Sequence, residues 1–299
     1  DFINVDKAGG SLFPMVDQVR RAVAHVYKHA REWGADPSQL FVLGHSSGAH
    51  QAANVAVTDW SALLRGVSTV IHLAARTHVL HETASEPLAA YRRINVEVTE
   101  RLARSCAAAG VKRGVFLSSI TVNGESTCQS PFRESDTPQP QDAYGFSKHE
   151  AEVSLTNIGR VSGLEIVIVR PPLVYGPGVT GNFLSLLRLC QRAVPLPLAA
   201  IDNRRSMVCR DNLVSALALM LEHPAAARRT FLIHDGAPWS TPDLIRRLAS
   251  ALGRPARLFP LPPPLLAAGA WLVGAGSWVW LGDGGWDAAV GGAAVGASS

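Results

Sequence analysis

Short strand-like runs alternate with helical stretches through the middle of this chain, and that alternation limits its fold more than any other feature. Runs at 69–73, 114–118 and 165–170 read as strands, with 91–109 and 144–162 between them reading as helices. Strands joined by helical crossovers lie parallel, and a parallel sheet is covered on both faces. Upstream, 14–34 reads as an amphipathic helix with Val16, Val19, Val23, Val26 and Tyr27 at helical spacing, followed by an Ala35-Asp36-Pro37 turn. Leu40-Phe41-Val42-Leu43 is a further strand-type run that enters Gly44-His45-Ser46-Ser47-Gly48 and a second helical pattern through about Val57. From Phe183 onward the pattern is more helical and richer in proline, with one clear strand at 230–234. The expected class is α/β: a doubly wound parallel sheet with a smaller C-terminal lobe.

Composition narrows the partners. The 299 residues leave room for one large or two modest domains, and a net charge of +4 with no Lys/Arg run longer than two gives no nucleic-acid footprint. Cys106, Cys128, Cys190 and Cys209 are far apart and form no CxxC pair, so no metal site is expected and a reducing cytoplasm fits best. The chain opens at Asp1-Phe2-Ile3-Asn4-Val5-Asp6, without the features of a signal peptide, as if cut from something longer. Between Arg257 and Asp283 lie 25 consecutive uncharged residues, at the short edge of membrane-spanning length. Gly269, Gly274 and Gly276, preceded by Pro262-Pro263-Pro264, favour a buried helical hairpin instead, and no membrane partner is expected. The Gly/Ala/Ser/Val-rich stretch 282–299 reads as a flexible tail.

Two constellations carry chemistry. Gly44-x-Ser46-x-Gly48 follows a strand and opens a helix, where small flanking residues let the backbone expose a serine hydroxyl. Residues 1–60 resemble the middle of an α/β-hydrolase of the arylformamidase and carboxylesterase type, with Ser46 at the nucleophile position. No HGG-type oxyanion loop precedes Ser46; Asp211 and His234 follow in the order a triad needs, without hydrolase-like surroundings. A serine hydrolase using Ser46 is therefore the alternative reading.

The second constellation is larger. Tyr144-Gly145-Phe146-Ser147-Lys148 places a phenol and an amine one helical turn apart on one face. Around it stand His72-Leu73-Ala74-Ala75 and Ser118-Ser119-Ile120-Thr121 at strand ends, Asn95 in a helix, and Arg170-Pro171-Pro172-Leu173-Val174-Tyr175-Gly176-Pro177-Gly178. A phenol is a poor base at neutral pH, but an ammonium and a nicotinamide cation nearby favour its phenolate. This set, over about 66–281, resembles the extended short-chain dehydrogenase/reductase family, and within it the NAD-dependent epimerases and dehydratases of the UDP-sugar 4-epimerase branch. The resemblance implies a Rossmann-like sheet at 66–180, a substrate lobe at 181–281, NAD as cofactor and a UDP-sugar as substrate. It implies Tyr144 as the base at the sugar 4-hydroxyl, Ser119 as its partner on the same oxygen, and Lys148 on the ribose. It places Leu73, Ala74, Ala75, Asn95, Ser118 and Pro171 around the cofactor, and Asn182 and Arg205 on the substrate, a guanidinium fork suiting a diphosphate. A homodimer through 91–109 and 144–162 is expected. Dehydratase chemistry is disfavoured, because an Asp-Glu pair beside the serine is replaced by Ile120 and Thr121; epimerisation and 4-keto reduction both remain open.

The family's glycine-rich phosphate loop and the acidic or basic residue after its second strand are missing in their usual form. Only 19 residues separate Gly48 from Ser68. The Gly44–Gly48 turn and its helix could imitate a first βα unit and accept the pyrophosphate, although His50 stands where the third glycine belongs. The simplest account is a fusion of a hydrolase fragment with an epimerase lacking its N-terminal quarter, its seam near 61–65; an inactive fusion is the third reading. Cys209-Arg210-Asp211-Asn212 is a smaller departure from the family pattern.

Overall fold

In the computed structural model of the chain, the residues described are 25, 28–33, 60, 64–77, 86–127, 130–179, 181–262, 265 and 266. The turn, strand, elbow and helix expected over 35–57, the tail, and the helical hairpin apart from Leu265 and Leu266 lie outside them; of the helix expected at 14–34, a 3-10 turn at Ala30–Trp33 is seen. Two compact units divide the chain: Asp1–Val122 with Pro140–Arg170 and Leu217–Phe231, and Asn123–Gln139 with Pro171–Ala216 and Leu232–Ser299.

The first unit is built on a four-stranded sheet of order β1-β2-β3-β6, where β1 is Thr69–His72, β2 Arg113–Leu117, β3 Glu165–Arg170 and β6 Thr230–Leu232. β1 lies parallel to β2 with Thr69 opposite Arg113 and His72 opposite Phe116, and β2 lies parallel to β3 with Arg113 opposite Glu165 and Leu117 opposite Val169. The run Glu-Ile-Val-Ile-Val-Arg of β3 is buried from Ile166 to Arg170, as a strand covered on both faces must be. The strand expected at 230–234 stops at Leu232, because His234 and Gly236 close a turn on each other.

Three helical segments link the first two strands: α1 at Pro87–Arg92, a π-helical turn at Arg93–Val98, and α2 at Thr99–Ala108. This corrects the single helix expected at 91–109. Helix α3, Ala143–Ser162, begins where the Asp142 carboxylate accepts the Gly145 amide at 2.7 Å and ends at Gly163 in the left-handed region, φ +83°. It packs Ala151, Leu155 and Ile158 against Phe116, Ile166 and Ile168 of the sheet and Leu102 and Cys106 of α2. Polar groups lock the opposite end of the strands: Arg113 is buried, its Nη2 2.6 Å from Glu165 while Nη1 donates to the carbonyls of Met220 and His223.

The second unit holds a parallel pair absent from the sequence reading, β4 (Leu173–Tyr175) beside β5 (Met207–Cys209), with helix α4 (Gly181–Gln191), helix α6 (Thr241–Ala251) and the first half of helix α5 (Arg210–Glu222), which from Leu217 onward belongs to the first unit. Leu186, Cys190, Leu198, Met207, Leu244 and Ile245 form its core. Asp235 stitches the pair: its carboxylate accepts from the Tyr175 hydroxyl at 2.9 Å, the Cys209 backbone amide at 2.6 Å and Asn212 Nδ2 at 2.8 Å. Partial burial, reinforced by that carboxylate, pushes the Tyr175 phenol up to about 12.

Glycine at 159 sets how closely α3 approaches β3. A Cβ there would sit 2.8 Å from the Leu164 carbonyl oxygen and 2.9 Å from the Ile166 side chain. Gly159→Ala should cost about 1–3 kcal/mol in urea denaturation through overpacking, against the ~1 kcal/mol that alanine gains from helix propensity alone. A stabilised variant would show that the helix docks less closely than this.

Candidate active site

The carboxyl ends of three adjacent parallel strands present the expected residues. Leu73, Ala74 and Ala75 follow β1 and are half-buried, Ser118 and Ser119 follow β2 and are buried, and Pro171 follows β3. α3 brings Tyr144 and Lys148 to the end of β2. Lys148 is 1% exposed; its Nζ donates to the Leu117 carbonyl at 2.7 Å and stands 4.0 Å from the centroid of the Phe116 ring. The Tyr144 hydroxyl is hydrogen-bonded with Ser119. Ser119, Tyr144 and Lys148 thus meet as one constellation.

Thr121, which the sequence reading passed over except as a neighbour of Ser119, sets the direction of that contact. Its amide and its hydroxyl both donate to Ser119 Oγ, at 3.2 and 2.9 Å. With both acceptor positions of Ser119 occupied, its own proton is left to donate toward the Tyr144 oxygen.

Asn95 joins the site to the segment after β1. The π turn buries it to 1% exposure, and π turns inside helices recur at functional sites. Its Oδ1 accepts the Arg76 amide at 2.7 Å, and its Nδ2 donates to the Arg76 carbonyl at 3.0 Å and to Ser147 Oγ at 2.9 Å. Ser147 in turn donates to the Tyr144 carbonyl at 2.8 Å, so Asn95 ties the β1 loop to the backbone of Tyr144. Tyr91 stands beside it, its ring edge-on to Tyr144 at 6.2 Å and its hydroxyl donating to the Thr77 carbonyl.

Burial governs the charges. It brings the Lys148 ammonium down to about 7, with the Glu152 carboxylate opposing the fall. Burial, reinforced by Lys148, brings His72 down to about 3, and that imidazole is bonded to Thr99 Oγ1 at 2.8 Å. Burial and the field of Asp142 hold the Tyr144 phenol well above its ordinary range, while the Ser119 hydrogen bond pulls the other way. The surroundings therefore keep the phenol protonated until a further positive charge arrives.

Asn182 and Arg205 belong to the second unit. Asn182 is exposed at the start of α4, and Arg205 is half-buried on an antiparallel bridge with Trp239. Gly44, Gly48 and Ser46 lie outside the described residues. Asp211 is ion-paired with Arg210 at 2.8 Å and His234 is bonded to the Gly236 carbonyl at 2.7 Å, so each already has its own local partner. Among the described residues no cluster of metal-ligating side chains occurs, and no helix is long and apolar enough to cross a membrane.

Comparison with known proteins decides the family. Residues 24–233 match the NAD dependent epimerase/dehydratase family. The chain belongs to that family. It is 44% identical over 209 residues to the UDP-glucose 4-epimerase of Vibrio cholerae, covering 69% of this chain and 64% of that protein. Among solved structures it resembles the dTDP-glucose 4,6-dehydratase DesIV of Streptomyces venezuelae with NAD bound, at a TM-score of 0.57 and 25% identity over 70% of this chain and 64% of that one. It also resembles MoeE5 in complex with UDP-glucose and NAD, at a TM-score of 0.55 and 28% identity over 68% of this chain and 69% of that one. The chain thus spans a little under two thirds of the epimerase and dehydratase lengths. Nothing in these relatives supports the serine hydrolase alternative.

The family's dinucleotide fits the described residues at its nicotinamide end: a buried amine, a buried phenol with a hydroxyl donor beside it, and small residues after β1, all at strand carboxyl ends. The pH dependence of stability tests this burial. Lys148 has its ordinary value of 10.5 when unfolded and about 7 when folded, so between those limits the unfolded chain binds more protons and stability rises with pH. His72 acts likewise lower down, costing stability as pH falls from 6.5 through 3. In Lys148→Met the urea midpoint should gain less between pH 7 and 9 than it does in the natural chain. Equal gains in both would place Lys148 in solvent.

Proposed function

We propose that this chain carries the catalytic half of an NAD-dependent epimerase acting at C4 of a UDP-sugar. The observation that carries this reading is the buried Tyr144–Ser119–Lys148 constellation at the end of β2, supported by its likeness to the Vibrio cholerae enzyme. Bound NAD supplies a hydride acceptor and donor at C4, and a positive charge that favours the Tyr144 phenolate. Tyr144 takes the proton of the 4-hydroxyl and later returns it. Ser119, its acceptor positions filled by Thr121, turns its one proton from Tyr144 to the same oxygen when substrate is bound. Lys148, held by the Leu117 carbonyl, meets the cofactor ribose, and Asn95 holds the backbone of the base in place. Leu73, Ala74, Ala75, Ser118 and Pro171 line the cofactor. Asn182 contacts the sugar nucleotide and Arg205 its diphosphate; Gly44 and Gly48 are the candidates for the pyrophosphate of NAD. The free thiols Cys106, Cys190 and Cys209 suit a cytoplasmic enzyme.

NADH fluorescence titration and UDP-glucose/UDP-galactose interconversion test the reading together. Saturable binding is expected; Tyr144→Phe should retain it while losing about 100-fold or more in turnover, and Lys148→Ala should weaken both. A folded chain that neither binds NADH at millimolar concentration nor turns over a UDP-sugar would reject the proposal.

The functional unit we propose is a homodimer packed through α2 and α3. Between these helices runs a groove lined in part by Glu100, Arg104, Ser154, Ile158 and Val161, and Val161 is 85% exposed on its rim. An apolar side chain that open on a packed helix is suited to a second copy of the same surface. Sedimentation should give a dimer for the natural chain and a shift toward monomer for Val161→Glu combined with Val153→Glu. An unchanged sedimentation coefficient would move the interface elsewhere.

A further inference from the structure

Tyr144, Lys148 and Glu152 are spaced by four along α3 and form one row on the helix. Opposite them the consecutive residues Leu117, Ser118 and Ser119 each take one member of the row. The Leu117 carbonyl accepts from Lys148 at 2.7 Å, the Ser118 hydroxyl donates to Glu152 Oε1 at 2.5 Å, and Ser119 bonds Tyr144. The contact that takes no part in the proposed reaction is the most firmly made of the three. Arg170, at the end of β3, donates from Nε to Glu152 Oε1 at 3.0 Å and from Nη2 to Oε2 at 2.5 Å, and Glu152 and Arg170 are 4% and 5% exposed. The Ser118 amide also donates to the Val169 carbonyl at 2.7 Å. Ser118 is therefore held at its backbone by β3 and at its side chain by α3, between the two residues that bond Lys148 and Tyr144.

We propose that Glu152, clamped by Arg170, is a positioning residue for the Tyr144–Lys148 pair: by pinning Ser118 it fixes Leu117 and Ser119, the groups that hold Lys148 and Tyr144. This rests on the reading of Tyr144 as the base. The carboxylate has an electrostatic part as well. The groups facing Lys148 are the Phe116 ring and Leu117 carbonyl of β2, the neutral His72 of β1, and Tyr144 and Glu152 on its own helix. Of these Glu152 is the anion, and it favours the ammonium against burial.

The sequence holds four lysines, Lys7, Lys28, Lys112 and Lys148, and four tyrosines, so 13C labelling of lysine Cε or tyrosine Cζ gives a countable spectrum. Glu152→Gln keeps a hydrogen-bonding group for Ser118 and removes the charge. The Lys148 titration midpoint should fall by about one pH unit, whereas a merely loosened helix would admit water and raise it. In UDP-sugar turnover, kcat should fall about ten-fold or more with KM little changed. Ser118→Ala, which leaves the ion pair intact, should shift the Tyr144 Cζ resonance. A Lys148 midpoint that stays or rises in folded Glu152→Gln overturns the proposal, as does an unmoved Tyr144 resonance in Ser118→Ala, which decides the matter alone if Glu152→Gln does not fold. A natural chain without turnover would reject the epimerase reading and leave both resonance tests standing.

Discussion

The ion pair between Glu152 and Arg170 is the contact around which the first unit is assembled, because it joins elements that sequence keeps apart. Arg170 ends β3, Glu152 lies mid-way along α3, and Ser118 follows β2; one buried carboxylate meets the other two. Two charges out of water are expensive, and removing one partner of such a pair costs about 3–5 kcal/mol, a large part of the 5–15 kcal/mol that holds a typical domain folded. An apolar contact in the same place would tolerate a helix sliding by a fraction of a turn. A bidentate guanidinium and a serine hydroxyl do not, since each bond has a direction as well as a length. The close approach at Gly159 then carries the same register to the far end of the helix.

That rigidity bears on the proposed use of Tyr144, a phenol and so a poor base. A phenol buried beside an aromatic ring stays protonated, and so does the site until positive charge reaches it. Lys148 is held in an apolar setting, over Phe116 and against one carbonyl, where burial has already brought it to about 7. Its charge is thus sensitive to small changes nearby, and in low-dielectric surroundings each of those changes has a large effect. The hydrogen-bond chain Arg76–Asn95–Ser147–Tyr144 adds a second fixation from the β1 side, so Tyr144 is held through its side chain by one strand end and through its backbone by another.

The sheet was legible in sequence because its strands are short apolar runs set between helical stretches: the segment expected at 165–170 is β3 residue for residue. Tyr144 and Lys148 were legible because helical spacing alone puts them on one face. What sequence did not show depends on contacts between distant segments. The π turn at Arg93–Val98 has ordinary helical composition, and only the pull of Arg76 and Ser147 on Asn95 shows what its altered winding serves. β4 and β5 are three residues each, too short for any period to register, and they exist because they pair with one another. Arg170 read as the first residue of a Pro-rich motif, Glu152 as an unremarked helical acid and Thr121 as a mere neighbour of Ser119; each acquires a role only when β2, β3 and α3 are brought together.

The proposed chemistry and the proposed cofactor affinity are separable in this architecture. Tyr144, Ser119, Lys148, Asn95 and Glu152 all lie in one unit, and each is held by bonds to that unit's own strands and helices. Contacts to the adenosine and pyrophosphate of a dinucleotide are equally strong before and during hydride transfer, so they set how tightly the cofactor is held rather than how fast the bound complex reacts. A chain in which the Gly44–Gly48 turn stands for the family's glycine-rich loop would therefore differ from its relatives chiefly in the cofactor concentration it needs, with the turnover of the saturated complex set by the α3 row. Were the turnover of the saturated complex lost instead, the fault would lie in the register of α3 against β2.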